Sequence, residues 1–161
     1  TVQAEIAQRR LEEIELTVQL IAADPSFVTY IADAQGALLG LGDSGVPDAG
    51  SIRDLLRERQ EAFQFDLGIV LDTDGRVLAR TDEVEAFDAS LRGDPFFDSA
   101  FAGPSPISGY WRVGGALYQA AVWPLAQDGD LAGFLLLALA VDDKVGTRVV
   151  RASGADSDYL P

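Results

Sequence analysis

The sequence predicts an α+β domain in which one five-stranded antiparallel sheet carries a long N-terminal helix and additional helices packed on one face. Three features predict it. Helical periodicity dominates the chain up to Phe63, the period switches to that of strands after Phe65, and tight turn signals separate the strand segments so that chain neighbours run antiparallel. A hydrophobic content of 48% is enough for one genuine core, so residues 1–143 read as a single domain.

From Thr1 to about Ala23 the apolar residues Val2, Ile6, Leu11, Ile14, Val18 and Ile21 recur mostly at steps of three and four, with Glu and Arg between them. At ~1.5 Å per residue this helix would run ~35 Å, long enough to project beyond a compact body. Asp24 stands where it can cap a second helix, and Pro25 falls in that helix's first turn, so residues 1–34 form a bent helical arm. The glycine-rich stretch Gly36 to Gly50 reads as a loop, after which Ser51 caps a helix carrying Ile52, Leu55, Leu56, Arg59 and Phe63.

Residues 51–143 then supply the body. Leu67–Leu71 and Arg76–Arg80 flank Asp72-Thr73-Asp74-Gly75, a hairpin signal. Thr81 to Ser105 is a long connection with one short helix at Pro95 to Phe101, expected to fold over the sheet face opposite the helices. Ile107–Val113 turns at Gly114-Gly115 into Ala116–Leu125, and Gln127-Asp128-Gly129-Asp130 turns that strand into Leu131–Val141. This last run is the longest apolar one, about half the ~20 residues a membrane-spanning helix needs, and reads as a buried strand. Residues 144–161 read as a tail leading to a next element, with Arg151 to Asp156 a helix end running into a further strand. The chain opens inside a helix with neither Met nor cap, which marks it as part of a longer protein.

Composition removes several function classes. With 26 acidic residues against 12 basic ones, a nucleic-acid backbone or an anionic membrane surface is repelled. The sequence contains no Cys, His, Met or Asn, so disulfides, thiolate or imidazole metal sites and a histidine base are absent. Gly40 to Gly45 matches GxGxxG but lacks the strand before and the helix after that a dinucleotide site requires. Ser44 in the same stretch has no histidine to activate it. Asp72-Thr73-Asp74-Gly75 opens like a calcium loop, yet its glycine falls at the fourth position rather than the sixth and strand residues follow. No pair of carboxylates stands out by spacing for acid–base work. The chain is therefore read as a non-enzyme, with no cofactor and no metal.

The run GIVLDTDGRVLARTD, followed by FFDSAFAG and then by SGYWRVGGALYQAAVWPLAQDGDLAGFLLLALAVDD, resembles the Cache superfamily of extracytoplasmic sensors over about Arg53 to Asp143. The resemblance implies a PAS-like (PDC-type) sheet, a long N-terminal helix continuing from a transmembrane segment, and a pocket between the sheet and the long connection. It also implies an output module across the membrane, such as a histidine kinase, a cyclase or a chemotaxis signalling domain. The longer amino-acid-binding Cache signature is not matched, so amino-acid specificity is not implied. The function expected is sensing of a small-molecule ligand in the periplasm by a membrane-anchored bacterial receptor, with a further sensing module able to follow residue 161. A structural or protein-interaction module that keeps the shape without a pocket is the alternative.

Candidate ligand residues cluster at Tyr110-Trp111-Arg112 and Tyr118. Strand alternation sets Tyr110 and Arg112 on one face and Trp111 on the other, with Tyr118 and Ala120 facing opposite to Gln119, Ala121 and Trp123. A guanidinium in mid-strand beside aromatics suits a carboxylate, which nominates Arg112; a structural ion pair or an exposed position is the other reading. Tyr110 and Tyr118 line the expected pocket or pack in the core, and Arg80 and Thr81 stand where the connection begins. The sequence places Arg112, Tyr110 and Tyr118 together beneath the connection. The N-terminal helix either packs on the sheet or pairs with that of a second subunit in a homodimer.

Overall fold

A computed structural model describes residues 2–38, 49–82, 90–103, 105–113 and 115–141. The GxGxxG stretch with Ser44, the middle of the long connection and the tail 144–161 lie outside the described residues.

Helix α1 spans Val2–Ala22 and buries Ile14, Val18 and Ile21. It ends where Asp24 and Pro25 break the ladder, and α2 follows at Pro25–Leu38. Asp24 does what its position predicts: one carboxylate oxygen accepts from the Ser26 amide at 3.0 Å, filling a donor that the first helical turn leaves open. Its other oxygen takes the Arg59 guanidinium at 3.3 Å. Arg59 belongs to α3, Ala49–Phe63, and also lies 5.9 Å from the Phe27 ring centroid, so the three helices are joined at the bend.

Two helix boundaries differ from the sequence reading. Helix α2 runs past Ala34 through Gly36 to Leu38, and α3 begins at Ala49, before Ser51. One glycine inside a helix costs only about 1 kcal/mol, which does not stop a helix flanked by good formers such as Ala37 and Leu38.

The strands are β1 (Leu67–Leu71), β2 (Val77–Arg80), β3 (Ile107–Val113), β4 (Ala116–Gln127) and β5 (Asp130–Ala140). They form one sheet in the order β2-β1-β5-β4-β3, each neighbour antiparallel. The turns obey their residues. Asp128 and Gly129 have φ of 52° and 86°, the paired positive angles of a two-residue hairpin whose twist matches the strands. At the first hairpin, Asp72 Oδ1 accepts the amides of Asp74 and Arg76 at 2.8 and 3.0 Å, and so holds a turn of the backbone.

Central strand β5 is buried on both sides, with Phe134 to Ala138 each at most 1% exposed. One face, with Val70, Ala79, Ala121, Leu125, Leu135 and Leu137, packs under the helices against Val18, Ile21, Phe27, Ile31, Ile52 and Leu56. The other face, with Leu67, Ile69, Leu71, Ala120, Val122, Phe134, Leu136 and Ala138, packs under the long connection through Phe97 and Ala100. At about 1.5–3 kcal/mol for each fully buried large apolar side chain, both covers are needed to keep the strand out of water.

Gly133 in β5 has φ 157°, and a Cβ added there would overlap the Leu71 carbonyl oxygen of β1. A Cβ added at Gly103, in the long connection, would meet nothing within 4 Å. Gly133→Ala is therefore expected to lower unfolding free energy by about 2–3 kcal/mol in urea melts, the range of an overpacked core. Gly103→Ala is expected to stay within about 0.5 kcal/mol of wild type.

Candidate functional site

The long connection is a strap anchored at separate points. At its start, Thr81 extends the β1–β2 pairing: its amide donates to the Gly68 carbonyl at 3.0 Å, and its Oγ1 accepts from the Gly68 amide at 3.0 Å. Arg53 of α3 donates Nε to the Arg80 carbonyl at 3.2 Å, where strand pairing ends. The strap then returns to the β1–β2 turn. Ser90 bridges Arg76, the Leu91 amide donates to the Gly75 carbonyl at 2.9 Å, and Arg92 Nε donates to the Asp74 carbonyl at 2.9 Å. The Arg92 guanidinium also lies 5.4 Å from the Phe101 ring centroid.

From there a single 3-10 turn, Pro95–Phe97, and α4, Asp98–Ala102, cross the sheet. Asp94 caps the turn, its Oδ1 accepting the Phe96 amide at 3.0 Å; its Oδ2 accepts Trp111 Nε1 from β3 at 2.9 Å. That carboxylate thus fastens the strap to the sheet's edge strand. Beneath it the rings interlock. Phe97 meets Trp111 edge-on at 5.4 Å and stacks with Phe101 at 5.6 Å, Phe101 meets Phe134 at 5.2 Å, and Phe96 stacks with Trp111 at 6.0 Å. Such pairs each add about 0.5–1.5 kcal/mol beyond area burial.

Cross-strand register shows which side chains share this face, because directly opposed residues project together. One row runs Arg80, Ile69, Leu136, Val122, Ile107; the next runs Leu67, Ala138, Ala120, Gly109; the last joins Ala140, Tyr118 and Trp111. The middle row, Leu67 followed by the small residues Ala138, Ala120 and Gly109, thus lies between a row ending in a guanidinium and a row ending in two aromatic rings. Tyr118 and Trp111 stand 6.1 Å apart.

The expected grouping of Arg112, Tyr110 and Tyr118 beneath the connection is corrected by this register. Tyr110 opposes Gln119 and Arg112 opposes Leu117, which places both on the helix-side face, and both are exposed. Helix α1 occupies that side: Gln119 Nε2 donates to the Ala7 carbonyl at 2.7 Å and Ser108 Oγ to Glu15 at 2.7 Å. The reason is pairing. β3 and β4 pair in the register in which Trp111, not Arg112, meets Tyr118. Arg80 lies on the strap face, with its guanidinium forked onto Asp82 at 2.8 and 3.0 Å. Thr81 is buried, its hydroxyl used by Gly68. Asp94 was not singled out in the sequence, and Trp111 stood there only as a member of the aromatic cluster, on the face opposite Arg112. Their signals were present: Asp-Pro at the start of a short helix is a cap, and a buried indole needs an acceptor.

Among the described residues no three carboxylates gather to hold a metal ion, and no helix is long and apolar enough to cross a membrane.

No protein-family model matches this sequence, and no curated protein matches it. Solved structures do match. The sensor domain of the Vibrio cholerae histidine kinase DctB aligns with a TM-score of 0.65 at 14% identity, over 84% of this chain and 51% of that one. The Escherichia coli DcuS sensor domain aligns at 0.53 and 16% identity, over 81% of this chain and 96% of that one. The periplasmic domain of Vibrio cholerae LuxQ aligns at 0.55 and 12% identity, over 90% and 64%. The chain shares the PAS-like α+β fold of these domains, and spans about half the length of the DctB domain.

The two sides of the sheet predict different sensitivities. Thr81→Val leaves the buried Gly68 amide without its acceptor and is expected to cost about 1–3 kcal/mol in urea unfolding. Arg112→Ala, on an exposed strand position, is expected to change stability by less than about 0.5 kcal/mol.

Proposed function

We propose that this chain is the extracytoplasmic sensing domain of a membrane-anchored bacterial signalling protein, binding a small molecule between the sheet and the strap. The observation that carries this reading is the unequal covering of the sheet. One face is closed by three helices, the other by a connecting segment pinned at the β1–β2 turn and at Trp111. A cover of that kind is held by a handful of hydrogen bonds and ring contacts, so its opening costs less than unfolding the helix side. Arg80 and Tyr118, at the two ends of the strap face, are proposed as ligand contacts. Thr81 acts through them by pinning β2. Arg112 and Tyr110 lie on the wrong face for this site.

The relay is proposed to run along the last strap-face row. Tyr118 opposes Ala140 at the end of β5. The Ala140 amide donates to Asp66 at 2.8 Å and its carbonyl accepts from Arg10 of α1 at 3.2 Å. A ligand that shifts Tyr118 therefore shifts the strand end to which the N-terminal helix is tied, and the output domain, a kinase or a cyclase, reads the helix displacement. The bound state is favoured only by the ligand's differential affinity for the two arrangements.

Helix α1 supports pairing of two such domains. Its exposed side carries Val2, Ile6, Arg9, Glu13, Leu16 and Leu20, spaced four, three, four, three and four residues apart, the repeat of a coiled-coil seam. Leu16 and Leu20 are 61% and 60% exposed. In a parallel pair the apolar residues form the outer layers and Arg9 reaches the partner subunit's Glu13 between them.

Two measurements test these statements. In a thermal-shift screen of small metabolites, at least one compound is expected to raise the melting temperature and slow amide exchange in residues 90–102; a ligand at 100 times its Kd adds about 2.7 kcal/mol. No stabilisation by any compound would leave a structural or protein-binding module. By sedimentation, the wild type is expected to form a dimer that the double variant Leu16→Glu, Leu20→Glu reduces to a folded monomer. A wild type monomeric at all concentrations would refute the pairing.

A further inference from the structure

We infer that α3 is a rigid lever coupling the root of the strap to the bend between α1 and α2, so that strap movement reaches the N-terminal helix by a second route, separate from the end of β5; as regulation, this rests on the sensor reading above. The grip at one end is Arg53. Its Nε donates to the Arg80 carbonyl at 3.2 Å and its Nη2 to the Thr81 carbonyl at 3.5 Å, the two peptides at which β2 gives way to the strap. The same corner is seated a second time. Gly68, bonded to Thr81 through both its amide and its carbonyl, lies so close beneath α3 that a Cβ there would come within 3.2 Å of the Leu56 side chain.

The grip at the other end is Arg59, ~9 Å further along the helix axis. Its guanidinium holds Asp24 at 3.3 Å and lies 5.9 Å from the Phe27 ring centroid, so it touches both the residue at the bend and the first turn of α2. Ile52 and Leu56, fully buried on the core side of α3, seat the helix along its length, and it moves as one body. Helix α1 is therefore held at two places. Arg10 ties it to the end of β5, whose last row leads back to the strap's anchor at Trp111; Asp24 ties its C-terminal end, through α3, to the strap's root. Coupling of this kind is reciprocal: loosening the bend acts on the root by the same factor as loosening the root acts on the bend. Independent contacts would instead multiply without influencing one another.

The test is native-state amide exchange of the unliganded protein, read at the Thr81 amide, bonded to Gly68, and at the Val28 amide, bonded to the Asp24 carbonyl at 3.1 Å. Leu136, in the centre of β5, records global unfolding. Arg53→Met keeps the aliphatic stem and is expected to speed exchange at Thr81, relative to Leu136, about tenfold or more. At Val28, in α2, the same variant is expected to give about a fivefold rise. Asp24→Asn keeps an acceptor for the Ser26 amide and weakens the pair with Arg59; it is expected to speed exchange at Thr81 about fivefold in the wild type and to add nothing there in the Arg53→Met background. Arg57→Met, at an exposed position of the same helix, is expected to move neither amide. Arg53→Lys keeps one donor and loses the fork, so it is expected to show the same pattern with smaller factors, and it carries the test where Arg53→Met fails to fold. Factors at Thr81 that multiply within about twofold in the double variant would show two independent contacts and overturn the inference. A Val28 amide unmoved by Arg53→Met would overturn it too, as would an Arg57→Met variant that speeds both amides equally. Since no ligand is present in these measurements, additive rates would remove the lever and leave the sensor reading standing; that reading falls only with the metabolite screen.

Discussion

Strand β5 carries ten apolar or small residues in succession, Leu131 to Ala140, and pairs with β1 on one side and β4 on the other. Its backbone is satisfied by those two neighbours, but its side chains project from both faces of the sheet, and both faces must be shielded from water. Helices α1, α2 and α3 shield one. No further long helix is present among the described residues for the other, so the connection between β2 and β3 has to cross it, bringing Phe97, Ala100 and Phe101 down onto Leu71, Phe134 and Leu136. The strap is thus a consequence of the central strand's composition.

A cover made from a connection differs from one made of helices in how it is held. The helix side is a continuous apolar interface reinforced at its bend by Asp24 and Arg59. The strap side relies on the Arg92 and Leu91 bonds to the hairpin turn, the Asp94 bond to Trp111, and a chain of ring contacts. These anchors sit on two different strands of the sheet, β3 and the β1–β2 turn. The strap therefore ties the two halves of the sheet together. The same last row that carries Trp111 and Tyr118 ends at Ala140, whose peptide is held by α1 and by the residue preceding β1. The strap face and the N-terminal helix meet through one strand end.

Much of this fold was legible in the sequence because its signals are local. Alternation and an Asp-Gly turn define a hairpin without reference to anything distant; both Asp-Gly hairpins join the strands expected, and β3 pairs with β4. Asp24 and Pro25 likewise mark the helix bend by their own backbone chemistry. The extension of α2 through Gly36 was not legible, since glycine's cost is small enough for the flanking residues to override. The heptad on the outer side of α1 was hidden for a different reason: two apolar stripes share that helix, and only packing on the sheet separates the one that is buried from the one left exposed.

The sequence by itself determined the α+β class, the order of the elements, the strap and the presence of an aromatic cluster at β3 and β4. It also determined that Trp111 and Arg112 point opposite ways, because adjacent strand residues must. Only the tertiary structure decided which of the two faces the strap. That choice depends on the β3–β4 register and on which side of the sheet the helices occupy, both properties of residues far apart in the chain. Once α1 lay against Gln119 and Ser108, Arg112 and Tyr110 belonged to the helix side. Trp111 turned inward to meet the carboxylate of Asp94, whose capping role the sequence contained but whose second partner it could not specify.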